Sequence, residues 1–243
     1  LKDKLDIIAL EGAKNVSYGI PNIRVEYRSA NTAVPVGWWR SVYDSQNAYA
    51  NECFMDELAE SAGQDPLQFR LTYLTNSPRD TEVLKMVAKK VNWGQKLSNG
   101  RSQGLACHAS FRSHVAQVAE VSVNSEGMIR VHRVVCAIDC GQVVNPSIVR
   151  SQIESSIVYG LSAALKGEIT IENGGVVQGN FHEFEVLRFH EMPKVEVYIV
   201  KSDEHPGGVG EPGLPPIAPA IANAVFVATG KRIRKFRPDF DPF

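Results

Sequence analysis

Disulfides, dominant charge and long apolar runs are all scarce in this sequence. Four cysteines in 243 residues are too few for a disulfide framework. A formal charge of −1, from 26 Lys+Arg against 27 Asp+Glu, gives no long-range attraction to nucleic acid or to an anionic bilayer. No stretch approaches the roughly 18 consecutive apolar residues of a membrane-crossing helix, so no membrane-spanning segment is expected. The chain opens on Leu1 without a basic-then-apolar leader, which reads as a processed product or a piece of something longer. Several catalytic signatures are missing too: no Gly-x-Gly-x-x-Gly, no Gly-Lys-Ser/Thr, no paired-histidine zinc motif and no Gly-x-Ser-x-Gly elbow. Cys136 and Cys140 lack a second Cys/His pair at zinc spacing, and on one strand they would share a face as packing residues. What remains is ordinary globular usage, 44% hydrophobic and 22% charged, with enough length to bury a core.

Period and punctuation predict the elements. Ile23–Tyr27 alternates apolar and charged, as a half-buried strand does. Ala48, Asn51, Met55, Leu58 and Ala62 recur at three and four, predicting a helix capped by Asp44 or Ser45 and stopped by Gly63. Asp65-Pro66 and Ser77-Pro78 each start a further helix, with Leu84, Val87, Ala88 and Val91 as the stripe of the second. After a polar loop over 95–102, the period drops to two in 115–123 and 129–134, around Asn124-Ser125-Glu126-Gly127: a hairpin. Asn145-Pro146 starts a helix with Ile148, Val149, Ile153, Ile157, Leu161 and Leu165 on one face. A hairpin turning at Asn173-Gly174-Gly175, a strand over 195–200 and a last helix over 216–229 complete the chain, the last with Ala228 among its inward residues. Interleaved helices joined partly by hairpins predict an α+β fold with mixed or antiparallel sheets, divided near residue 94 into a strand-plus-three-helix part (1–94) and an α+β part (95–243).

Three places can carry chemistry. Pro206-Gly207-Gly208-Val209-Gly210-Glu211-Pro212-Gly213-Leu214-Pro215-Pro216 is permissive and pinned at once, because glycine admits a close approach and proline fixes the path. Glu211 is its only charged side chain: either a general base or a solvated carboxylate near a helix N-terminus. Gly37-Trp38-Trp39-Arg40-Ser41 offers an aromatic wall with a forked cation, or Trp packing under a stacked Arg. Gln152 is an amide beside an apolar stripe and needs a partner, either a ligand or a backbone carbonyl. Glu183 and Glu185 alternate with Phe184, which on a strand puts both on one solvated face.

Those places, with Ile20-Pro21-Asn22, Val34-Pro35-Val36-Gly37-Trp38-Trp39-Arg40-Ser41, Glu52–Ala59, Asp65-Pro66, Ile138-Asp139-Cys140-Gly141, Asn145-Pro146, Gln178-Gly179-Asn180-Phe181, Gly208-Val209-Gly210-Glu211 and Pro219–Ala224, run the length of the chain. The combination resembles the C-terminal part of the molybdenum-binding subunit of the xanthine dehydrogenase/aldehyde oxidase family. Within that family it is most similar to the branch of the isoquinoline 1-oxidoreductase β-subunit. The resemblance implies a molybdenum–pterin cofactor, in this branch molybdopterin cytosine dinucleotide. It implies Glu211 as the general base for attack by a molybdenum-bound hydroxyl, with hydride passing to a sulfido ligand and water as the oxygen source. Arg40 would sit near substrate. Gln152 would bond an oxygen ligand of the metal, with Trp39, Val209 and Gly210 beside the cofactor and no residue ligating the metal directly. The implied substrates are aldehydes or azaarenes. The implied partners are the remaining part of the molybdenum subunit and a small [2Fe–2S] subunit, and the compartment stays open. The pterin-gripping Gly-Gln-Gly and Gly-Gly-Phe-Gly type loops of that family are not found here, so the chain alone is expected to be inactive. A cofactor-free interaction or small-molecule-binding module with the same fold is the alternative.

Overall fold

The computed structural model describes residues 6–30, 34–35 and 37–236. Five helices, α1 (Asp44–Ser61), α2 (Pro66–Tyr73), α3 (Pro78–Val91), α4 (Pro146–Leu165) and α5 (Ile217–Thr229), surround strands β1 (Ser102–Ser110), β2 (Ser113–Val123), β3 (Ile129–Asp139) and β6 (Lys194–Ile199). A separate two-stranded ribbon, β4 (Ile171–Glu172) with β5 (Gly175–Val176), lies between α4 and β6. The sheet order is β1-β2-β3-β6, antiparallel except for the last pair, β3 with β6, which is parallel. That pairing needs a long crossover, and α4 with the ribbon supplies it. The fold is α+β with a mixed sheet.

The sheet is buried on both faces, and its period of two sorts the residues. Val134, Cys136 and Ile138 pack with Ile153, Ile157 and Leu161 of α4 and Ile217, Ile221 and Ala224 of α5. Val135 and Ala137 face the other way, onto Leu84, Val87 and Val91 of α3 and Leu67 and Phe69 of α2. Val131 joins the first face despite its odd number. The register runs Glu120 opposite Arg133, then Val121 opposite Val131, so His132 is an extra residue that flips the alternation. Helix α5 lies directly on β1 at Gly104, where a Cβ would collide with Ala224 N and the Ala220 carbonyl. Cys136 and Cys140 fall in one core cluster, as expected of packing residues, and burial pushes the Cys136 thiol up to about 12.

Several expectations need correcting. Ile23–Tyr27 forms no regular element and pairs with no strand among the described residues, and Ile23, Val25 and Tyr27 are exposed, so alternation without a partner made no sheet. Helix α1 begins after Tyr43, without a side-chain cap from Asp44 or Ser45. Asp44 is engaged elsewhere, with His108 Nε2 at 2.8 Å. Ile148 and Ala228 turn outward. Glu183 ends a short 3-10 turn rather than lying on a strand. Strand β1 carried no alternating signal because Leu105, Ala106 and Cys107 are buried on opposite faces of a covered strand. The expected caps at Asp65 and Asn145 are present, each accepting two backbone N–H bonds. Gly63 and Gly230 take the left-handed conformation that stops a helix.

A buried ion pair ties these layers together. Arg70 of α2, fully buried, donates from Nε to Glu52 Oε2 at 3.0 Å and from Nη2 to the Glu52 carbonyl at 2.7 Å. Glu52 also accepts from Tyr18 Oη at 2.6 Å and from the Cys107 N–H of β1 at 2.9 Å. Burial pulls the guanidinium pKa down, yet Glu52, Tyr18 and Asp56 around it hold it above the usual value. Removing one partner of such a pair leaves an uncompensated charge, at a cost of about 3–5 kcal/mol. Arg70→Met is therefore expected to lower unfolding stability by about that much, and Arg70→Met/Glu52→Gln to recover part of the loss. Urea denaturation of both variants checks this, and an unchanged midpoint for Arg70→Met would contradict it.

Candidate functional site

The site forms where three segments distant in sequence meet. The first is the turn before α1. Ser41 and Val42 both adopt left-handed backbone, φ 70° and 47°, which is costly for residues with a Cβ. The turn is locked by Val42 N–H to the Trp39 carbonyl (2.9 Å), Asp44 N–H to the Ser41 carbonyl (3.0 Å) and Ser45 Oγ to the Arg40 carbonyl (3.2 Å). Arg40 is thereby aimed away from α1, toward the other two segments.

The second segment is the glycine loop before α5, held down by its backbone. Gly207 N–H donates to the Cys140 carbonyl (2.9 Å) and Gly208 N–H to the Phe111 carbonyl (2.8 Å), while Ser113 Oγ donates to the Gly208 carbonyl (2.6 Å). Its contacts at Phe111 and Ser113 lie at the tight β1–β2 turn, where Phe111 and Arg112 both have positive φ. Gly207 must be glycine, since a Cβ there would collide with Ser113 Oγ and the Arg112 carbonyl. At the other end Gln117 Nε2 donates to the Gly213 carbonyl (2.6 Å). The third segment is the exposed edge of α4, carrying Gln152, Ser155 and Tyr159.

Arg40 joins them. Its Nε donates to the Gly210 carbonyl at 2.7 Å, and its Nη2 reaches the same carbonyl. Nη2 also meets Gln152 Oε1 (3.2 Å) and the Gln152 carbonyl (3.4 Å), and Nη1 meets Ser155 Oγ (3.1 Å). Burial pulls the Arg40 pKa down, with Glu211 and Tyr159 opposing. Glu211 is held by the residue next to Arg40. The Ser41 N–H donates to Oε1 at 3.0 Å and Ser41 Oγ donates to the Glu211 carbonyl at 2.7 Å. Among the described residues Oε2 has no hydrogen-bond donor. Burial, then Asp44, with a further push from Glu211, raises the Glu11 pKa against the pull of Lys14, so three carboxylates share this corner.

Of the residues expected from sequence, Arg40, Gln152, Gly210 and Glu211 converge. Trp39 stacks on Tyr159 with ring centroids 5.2 Å apart, and Val209 packs half-buried against the core. Trp38 does not join them and is 87% exposed, and Val36 of the same motif lies outside the described residues. The Gln152 side-chain oxygen accepts from the Arg40 guanidinium, a partner that neither sequence alternative named, and its amide nitrogen is left over. Sequence reading named Ser41 within its motif without a role and passed over Ser155 and Tyr159. The last two follow Gln152 by three and seven, so they share its helix face, and that spacing was the available signal.

The donor set suits a group that presents oxygen atoms. With Oε1 on Arg40, the Gln152 amide nitrogen has no acceptor among the described residues, and neither have the Val209 and Gly210 N–H groups. Space at Gly210 is open, the nearest atom to a built Cβ being Gln152 Oε1 at 4.0 Å. Among the described residues, the only cation hydrogen-bonded in this cluster is Arg40, already satisfied by protein acceptors, so the fit is to oxygen ligands rather than to a pyrophosphate.

Residues 42–193 match a molybdopterin cofactor-binding domain family, and residues 6–74 match a second family of the same description. The chain is 36% identical over 223 residues to the β-subunit of isoquinoline 1-oxidoreductase from Brevundimonas diminuta, covering 90% of this chain and 29% of that one. It is 34% identical over 237 residues to a nicotinate dehydrogenase subunit of Pseudomonas putida, covering 90% of this chain and 20% of that one. It therefore spans less than a third of the length of either relative. The aldehyde oxidoreductase of Desulfovibrio gigas superposes with a TM-score of 0.71 at 15% identity, over 94% of this chain and 44% of that one, which shows a shared fold. The chain belongs to the molybdopterin cofactor-binding domain family, as part of a molybdenum-binding subunit of the xanthine dehydrogenase type.

Proposed function

We propose that this chain is the base-bearing part of a molybdenum hydroxylase that oxidises an aldehyde or N-heteroaromatic carbon, with water as the oxygen source. The observation that carries this reading is the Glu211 carboxylate, anchored at Oε1 by the Ser41 N–H and without a donor on Oε2, beside the Arg40–Gln152–Gly210 cluster. A general base needs that asymmetry: one oxygen fixes the geometry and the other receives the proton. In this reading Glu211 Oε2 takes the proton of the oxygen nucleophile as it attacks the electron-poor carbon. When bound, the molybdenum–pterin supplies the two-electron oxidation that no side chain here can perform. Gln152 Nε2 and the Val209 and Gly210 amides would hold its oxygen ligands, and Trp39 on Tyr159 forms an aromatic wall beside them. The pterin would be the cytosine dinucleotide form.

In this reading Arg40 also has a positioning role. Its guanidinium bonds go to protein acceptors, so it acts by fixing Gly210 against Gln152 and thereby setting where Glu211 points. The partners required are the remaining part of the molybdenum subunit, which would grip the pterin, and a small [2Fe–2S] subunit. The four cysteines here are each buried, and among the described residues no group of three or more His, Cys, Asp or Glu side chains could hold a metal ion, so this reading assigns the cluster to the partner. The relatives named for isoquinoline and nicotinate favour an N-heteroaromatic substrate.

Glu211→Gln in the assembled enzyme is expected to lower turnover of an azaarene or aldehyde by about 10²–10⁴-fold or more, with molybdenum content by elemental analysis unchanged. Normal turnover in that variant would exclude Glu211 as the base. Arg40→Lys should lower kcat/KM of the same substrates by about 10²-fold, because an ammonium cannot span Gly210, Gln152 and Ser155 as the fork does. Steady-state kinetics showing wild-type values for Arg40→Lys would reduce Arg40 to a packing residue.

A further inference from the structure

Among the described residues, Ser41 alone grips Glu211 twice. Its amide donates to the carboxylate and its hydroxyl donates to the carbonyl of the same residue, which also accepts from the Leu214 N–H at 3.0 Å, so Ser41 touches both side chain and main chain of Glu211. Reaching both requires an unusual backbone. At φ 70° the Ser41 N–H and Oγ turn together toward the glycine loop, while Val42 at φ 47° returns the chain to α1. Ser41 is also fully buried while Glu211 is partly so, which shields the Ser41 end of both bonds from water. A fold that required only a chain reversal here would favour glycine at φ 70°. Serine accepts the strain and adds the hydroxyl bond that glycine lacks.

We infer that Ser41 is a positioning residue for Glu211: its strained turn holds the carboxylate with Oε1 anchored and Oε2 turned to the reacting proton. The inference rests on the reading of Glu211 as the base. Its action is on geometry, so it belongs to the catalytic step and leaves substrate affinity nearly untouched. The hydroxyl separates from the strain by substitution. Ser41→Ala removes Oγ and keeps the strained conformation, whereas Ser41→Gly removes Oγ and relieves the strain.

The test is kinetic and structural, on the assembled enzyme. Both variants are expected to lower kcat by about tenfold with KM within about twofold of wild type, the size expected from losing one buried hydrogen bond. Ser41→Gly should melt no lower than wild type, so its rate loss cannot be assigned to unfolding. In a Glu211→Gln background the further loss from Ser41→Ala should vanish, measured by single-turnover oxidation. A crystal structure of Ser41→Ala should show the Glu211 carboxylate shifted or in more than one position. Wild-type kcat in both Ser41 variants, with Glu211→Gln inactive, would overturn the inference while leaving the base reading intact. A full Ser41→Ala loss persisting in the Glu211→Gln background would also overturn it. An active Glu211→Gln would instead strike the reading on which the inference stands.

Discussion

Glu52 and Arg70 form the interaction on which the architecture turns. An arginine with no exposed surface is tolerable only if every nearby acceptor is committed to it, and the commitments reach across the molecule. Glu52 stands on α1, Arg70 on α2, Tyr18 in the N-terminal segment and Cys107 on β1. Asn223 of α5 adds a bond to the Glu52 carbonyl (3.3 Å) and another to the Leu105 carbonyl (3.0 Å). Asp56, one turn further along α1, pairs with Arg70 at 3.6 Å and with Arg232 beyond α5 at 2.7 Å. Hydrophobic burial makes the layers pack, but these charges decide in which register α1 crosses the β1 edge.

That register matters because the site hangs from α1. The Trp39–Val42 turn is the N-terminal extension of the helix, and its strained dihedrals persist because α1 is held at one end and the glycine loop at the other. The loop is fixed by sterics as much as by hydrogen bonds. Gly207 lies where no side chain fits against the β1–β2 turn, and Gly213 lies against Ile153 and Ser156 of α4. Both ends of the loop therefore report on the sheet and on α4, and Arg40 closes the triangle by bonding loop and helix together. The arrangement is held in one geometry before any ligand arrives, which is what the proposed chemistry requires.

Helix boundaries were legible because their signals are local. Asp65-Pro66 and Asn145-Pro146 cap and start α2 and α4 through side-chain oxygens accepting nearby N–H groups, an arrangement that needs no tertiary contact. The hairpin between β2 and β3 was legible for the same reason, a turn flanked by alternation. Failures came where a distant partner decides. Ile23–Tyr27 has the pattern of a strand and no strand beside it among the described residues. Strand β1 has little pattern of its own, because both its faces are covered, by α5 on one side and α3 on the other. Asp44 could have capped α1 by its chemistry, but His108 claims it.

The sequence by itself determined the α+β class and, through the motifs that carry the family likeness, pointed to Arg40, Gln152, Gly210 and Glu211 as candidates, because periodicity and motifs are local to the chain. Only the tertiary structure decided what each one does to the others. That Arg40 bonds the loop, that Gln152 yields its oxygen to Arg40, and that Ser41 holds Glu211 are contacts between residues more than a hundred positions apart. Separations of that size leave no periodicity in the chain. They arise when buried charge and close-packed glycines leave the backbone a single way to fold.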